Sequence, residues 1–118
     1  MRESDVLKAI MLALGNQPDF RCFRNNVGAL QDVTGRLVKY GLAPGSADLI
    51  GILAPTGRLV ALEVKTERRG SKQTPDQENW GRVVREMGGV YEVVRSKEEA
   101  LNVLEQARRP AGRMPGLP

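Results

Sequence analysis

Asp48, Glu63 and Lys65 stand in the segments GSADLIG and ALEVK, two acids and an amine set into otherwise apolar runs. Side chains of a strand repeat their direction every second residue. A strand over Leu59 to Thr66 therefore sends Leu59, Ala61, Glu63 and Lys65 to one face and Val60, Leu62 and Val64 to the other. One carboxylate and one ammonium emerge together. Between them and Asp48, Ala-Pro-Thr-Gly-Arg is a turn signal that predicts a hairpin. A two-residue loop at Thr56-Gly57, or a four-residue loop around it, pairs residues whose numbers sum to an odd value. Asp48 then lies opposite or diagonal to Glu63 and Lys65 on the same face. An odd-numbered loop would separate them unless a bulge repaired the phase, so the chemistry favours the first register.

Two carboxylates with carbonyl and water oxygens suit a hard cation, Mg²⁺ or Mn²⁺, whose shell a substrate phosphate completes. A lysine beside them can hold an attacking water and stabilise charge that builds on phosphorus. The plainer reading is a Glu-Lys pair on a solvated sheet face, which is common and contributes little. Against it, the opposite face of the strand is fully apolar and the acid face also carries Leu59 and Ala61. The charges interrupt a core pattern.

The elements that must position this trio follow from periodicity. Ser4 caps a helix to about Leu14, with Val6, Leu7, Ile10, Met11 and Leu14 as its buried stripe and Glu3 extending that stripe backwards. Phe20 to Asn25 reads as a strand and Asn26-Val27-Gly28 as a turn. Ala29 to Tyr40 is either a short strand or a loop over the substrate, with Thr34-Gly35 as a turn. Leu42 to Ser46 approaches the central hairpin, and ERRGSKQ (67–73) is a polar, basic loop. Pro75 to about Met87 is a helix, stopped by Gly88-Gly89. Val90 to Arg95 is a strand, and Ser96 caps a last helix through about Gln106. The order is α-β-β-β-α-β-α, an α/β domain over residues 1–107, with 108–118 read as a disordered basic Pro/Gly tail.

Together, GSADLIG, EVK, TPDQENW and GGVYEVV make the chain resemble the virus-type replication-repair nuclease (VRR-NUC) domain, a branch of the PD-(D/E)xK nuclease superfamily, from Glu3 to about Ala107. The superfamily's Pro-Asp dipeptide is Ala47-Asp48 here, and proline is not a ligand. The resemblance implies a restriction-endonuclease-like core, a mixed central sheet flanked by helices. It also implies a metal-dependent endodeoxyribonuclease of bacterial or phage-infected cells, acting in DNA repair as a homodimer on branched or four-way (Holliday-junction) DNA. In that reading Asp48, Glu63 and the Val64 carbonyl hold Mg²⁺ or Mn²⁺, Glu3 joins through water, Lys65 positions the attacking water and Gln77 contributes to the site. Arg24, Asn25, Ser46, Arg68, Arg69, Lys72 and Thr74 face DNA, and the first helix is the dimer element. A non-catalytic DNA-binding module on the same fold, and a sequence-specific restriction-type endonuclease, are the rival readings.

Several of these residues have a second explanation. Glu3 is also an acid welcome at any helix N-terminus, and Asp5, off the stripe, is its control. Thr74-Pro-Asp-Gln fits a capping box, which alone explains Gln77, and one rotamer is not expected to serve both the cap and the site. Arg68, Arg69 and Lys72 are equally consistent with a solvated loop, and Trp80 reads as core rather than as a stacking platform. Composition agrees with a small domain. The 118 residues, 41% hydrophobic, bury a single core, and 18 Lys and Arg against 14 Asp and Glu favour a polyanionic partner. The absence of histidine excludes His-based metal sites and a Ser-His-Asp triad, and the lone Cys22 excludes an intrachain disulfide. With no apolar run near the ~20 residues of a membrane span, the chain is expected to be soluble and cytoplasmic.

Overall fold

The structure, a computed structural model, describes residues 2–66 and 73–109. In chain order its elements are α1 (Glu3–Gly15), β1 (Phe20–Arg24), β2 (Gly28–Gln31), β3 (Leu37–Tyr40), β4 (Leu49–Leu53), β5 (Arg58–Val64), α2 (Pro75–Glu86), β6 (Val90–Val94) and α3 (Lys97–Ala107). Four strands make one mixed sheet in the order β1-β4-β5-β6. The β1/β4 and β4/β5 pairs are antiparallel, and β5/β6 is parallel because α2 carries the chain across between them. Without β2 and β3, the order is the expected α-β-β-β-α-β-α.

Alternation along β5 divides the core in two. Val60, Leu62 and Val64 face α1 and α3, where they meet Leu7, Ile10, Leu14, Val94 and Leu104 in the larger apolar cluster. Ala61 faces α2 and joins Ala47, Val84 and Tyr91, with Leu59 and Trp80 packed against them. Space on this second face is short. A side chain at Gly81 would run into the Tyr91 ring, so only glycine lets α2 come this close to β6. Trp80 meets the same ring edge-on, centroids 5.8 Å apart, in the core position its spacing predicts. Arg58 ties the two layers at the far end by donating to the Gly88 and Ala107 carbonyls at the C-termini of α2 and α3. Cys22 packs against the larger cluster, and burial pushes its thiol up to about 11.

Three boundaries differ from the sequence reading. Helix α1 starts at Glu3 with Arg2 at the cap and no side-chain cap bond, so Ser4 lies inside the first turn instead of capping it. The segment from Ala29 to Tyr40 is neither a lone strand nor a loop. It is a two-stranded ribbon, β2 with β3, separate from the main sheet and turned by Asp32, whose carboxylate accepts from Thr34 N, Thr34 Oγ1 and Arg36 N. Arg108, placed in the tail by the sequence, belongs to the fold. Its guanidinium binds Asp19 at 2.8 and 2.9 Å, Gln17 at 2.7 Å and Glu105 at 2.9 Å, because α3 ends beside the turn between α1 and β1. Residues 110–118 lie outside the described residues.

Candidate active site

The turn between β4 and β5 decides whether the acids meet. It has four residues, Ala54 to Gly57, and the ladder pairs Leu53 with Arg58 and Leu49 with Leu62. That even-numbered loop continues the register to place Asp48, one residue before β4, across from Glu63. Asp48 is fixed on both sides. Its Oδ2 accepts from Val64 N at 2.8 Å, replacing a ladder bond where β4 has not yet begun, and its carbonyl accepts from Asn25 N at 2.8 Å.

Glu63 is the unusual group. Only 4% of it is exposed, its Oε1 accepts from Gln77 Nε2 at 3.1 Å, and Lys65 Nζ lies 3.9 Å from the same oxygen. Its Oε2 is buried with no hydrogen-bond partner among the described residues. Burial first, then the Asp48 carboxylate beside it, push its pKa up to about 8, against the pull of Lys65. Without a cation such a buried carboxyl keeps its proton beside Asp48, and it ionises there only when something positive meets it. Two adjacent carboxylates with one orphaned oxygen fit a divalent cation that keeps most of its waters. Among the described residues no group of three or more acids or cysteines gathers at metal-ligating spacing, so such a cation would draw on this pair, a backbone carbonyl such as that of Val64, water and substrate.

Gln77 resolves the conflict posed by its two roles. Its Oε1 accepts from Thr74 N at 2.9 Å to close the capping box, while its Nε2 donates to Glu63. The two ends of one amide serve two partners in one rotamer, contrary to the expectation that they would compete. The first turn of α2 is held in register by Gly45, whose φ of +81° and contact with the Asp76 carbonyl leave no room for a side chain. The loop that carries Asp48 and the helix that carries Gln77 are thereby locked to each other.

Other predicted residues are placed differently. Asn25 and Ser46 point into the protein: Asn25 Nδ2 donates to Ser46 Oγ at 2.7 Å and to the Ala47 carbonyl at 3.0 Å, and Ser46 Oγ donates to the Ala43 carbonyl. Buried partners consume the groups that were expected to face DNA, and these two side chains brace the approach to Asp48. Arg24 and Thr74 are exposed, the latter with its oxygen accepting the Gln77 N–H. Glu3 is exposed at the first position of α1, on the helix layer opposite the Glu63 face, and is not gathered with Asp48 and Glu63. The inward stripe begins only at Val6, the first buried residue of α1. Arg68, Arg69 and Lys72 lie outside the described residues.

Tyr91 was missed by sequence reasoning. It is 1% exposed, its hydroxyl accepts from Gln73 Nε2 at 3.1 Å, and the Arg85 guanidinium sits 5.5 Å above its ring. Burial raises its pKa, helped by the nearby Glu63 and Asp48 charges. In the sequence it was one apolar position of a strand, and nothing local announces the partner. A cavity of about 430 Å³ opens at the other end of the sheet, beside Leu53 and Pro55 and away from the acids. No family model, curated protein or solved structure matches the chain.

Proposed function

We propose that the protein is a Mg²⁺- or Mn²⁺-dependent endodeoxyribonuclease with a PD-(D/E)xK-type core, selective for branched or four-way DNA. The observation that carries this reading is the buried Glu63 Oε2 beside Asp48, without a hydrogen-bond partner among the described residues, with Lys65 in reach of the same carboxyl group. Asp48, Glu63 and the Val64 carbonyl would hold the cation, which when bound polarises a phosphoryl oxygen and lowers the pKa of bound water. Gln77 fixes the Glu63 carboxylate in place. Lys65, anchored by its own N–H to the Val94 carbonyl, presents its ammonium at the edge of the acid pair, where it can hold the attacking water and stabilise the charge gathering on the phosphate oxygens. Among the described residues the site presents no side-chain nucleophile, so in this reading water attacks and the 3′ oxygen leaves with a proton from solvent.

Two copies of the chain would present two sites to one four-way branch. Leu12, 72% exposed on α1, is consistent with that helix as the contact between copies. The decisive test is incubation of the protein with linear, flapped and four-way DNA, with and without Mg²⁺ or Mn²⁺. Cleavage only with metal, lost in Asp48→Asn, is the expected result. Metal-dependent binding without cleavage of any DNA would make the chain a binding module that keeps the fold.

A further inference from the structure

The β2–β3 ribbon is the part of the fold that its own core does not explain. A two-stranded ribbon is marginal by itself in water, and this one is exposed along nearly its whole length. Its register, Leu30 opposite Val38 and Gly28 opposite Tyr40, puts Leu30, Val38 and Tyr40 on one face, with the Tyr40 ring lying across Gly28. Leu30 is 66% exposed and Val33, at the turn, fully so. The other face carries Lys39 and Gln31 together with Ala29 and the exposed Leu37. Between residues 23 and 42 the cations are Arg24, Arg36 and Lys39, and the only acid is Asp32, whose carboxylate is already taken by the turn. The ribbon is also inserted at the site: it leaves β1 at Asn25, which is bonded to the Asp48 carbonyl, and returns through the loop that ends at Asp48.

We propose that this ribbon is the arm that engages DNA beside the acid pair, with Arg24, Arg36 and Lys39 on backbone phosphates and Leu30, Val38 and Tyr40 against bases opened at a branch point. The proposal rests on the nuclease reading for the identity of the polyanion. A two-stranded ribbon fits the DNA major groove. Apolar side chains pack between unstacked bases, and an aromatic ring stacks on any base. A second copy of the chain is the less suitable occupant, since it would bring three cations against the same three. Duplex ends and unbranched DNA offer the phosphates but not the opened bases, so the apolar face is what distinguishes a junction.

The test uses the full chain in EDTA, so that binding is read without cleavage, with four-way and linear duplex DNA titrated over a range of salt. R36Q/K39Q should reduce the slope of log affinity against log salt by about two units on both DNAs, roughly one per phosphate contact. V38S/Y40S should weaken four-way DNA by about tenfold or more, one stacked base being lost, and change linear DNA less than about twofold, so the junction preference collapses. If V38S/Y40S unfolds the ribbon, Leu30→Asn repeats the measurement with Tyr40 left on Gly28. Wild-type affinity and slope in all three variants would overturn the proposal. So would a dimer that V38S/Y40S converts to monomer in sedimentation while both DNAs bind as before, which would make the ribbon a contact between copies. The two readings fail separately. A protein that binds junctions through the ribbon but cuts nothing with Mg²⁺ or Mn²⁺ loses the nuclease assignment and keeps the arm, whereas metal-dependent cutting unaffected by the ribbon variants loses only the arm.

Discussion

On one face of β5, Val60, Leu62 and Val64 are sealed between α1 and α3; on the other, Ala61 and Glu63 meet α2 in a smaller cluster that ends in charge. The same strand, read at alternate residues, contributes to the main core and to the candidate site. The larger face is apolar and closed. The smaller face stops at Ala61, and beyond it Glu63 is buried with one oxygen unsatisfied. The contrast teaches that stability and chemistry are divided by sheet face: the first face can hold the fold while the second carries a group that the fold alone would reject.

The largest expected effect tests that division directly. Asp48→Asn and Glu63→Gln should each lower cleavage by about a thousandfold or more, the loss of a metal's several kcal/mol of transition-state stabilisation, while the melting temperature holds or rises. Leu62→Ala, one residue away on the other face, should cost about 2–5 kcal/mol of stability and leave the activity of the remaining folded protein near wild type. Assays of cleavage and denaturant unfolding on the three variants separate the faces. Equal losses of both properties in all three would erase the distinction.

A second effect is the pH dependence that Glu63 imposes on the metal-free protein. Its folded pKa is raised from 4.5 to about 8. Between those values the unfolded chain has released the proton while the folded chain still holds it, so stability falls as pH rises from about 4.5 through about 8 and levels off above. The loss should be on the order of a few kcal/mol. Urea unfolding at pH 5 and pH 8 should show it, Glu63→Gln should flatten it, and Mg²⁺ should offset it at pH 8 with release of protons. An unchanged slope in Glu63→Gln would assign the titration elsewhere.

Smaller effects sharpen the boundary between face and site. Thr74→Ala should cost about 1 kcal/mol through the lost cap and leave cleavage largely intact. Gln77→Glu keeps an acceptor for the cap but replaces the donor to Glu63 with a charge, so it should reduce cleavage more than stability. If Thr74→Ala and Gln77→Glu prove alike in both measurements, Gln77 is only a cap. Smallest of all, Glu3→Gln and Asp5→Asn should be equally mild, roughly 0.3–1 kcal/mol each. Glu3 stands at the exposed helix end, and Asp5 is paired with Arg2 at 3.6 Å. A selective loss of cleavage in Glu3→Gln would bring that residue into the site.

Local pattern was enough for much of this. The alternation in LVALEV, the capping box at Thr74, the Ser96 cap, and the glycines that stop α2 are properties of a few consecutive residues, and they appear in the structure as the sequence predicts. The meeting of Asp48 and Glu63 was also legible, because parity of the loop and of the strand period leaves only two choices. Tertiary structure decided the rest. Asn25 and Ser46 look like surface polar residues until the loop folds back and gives them internal partners. Arg108 reads as tail until α3 brings it to Asp19, eighty-nine residues earlier. Gln77 reaches Glu63 only because α2 crosses the sheet at a distance set by Gly81 and Gly45. Periodicity reports which way a side chain points relative to its own element, and hydrogen-bond partners far apart in sequence depend on how the elements are stacked, which periodicity does not encode.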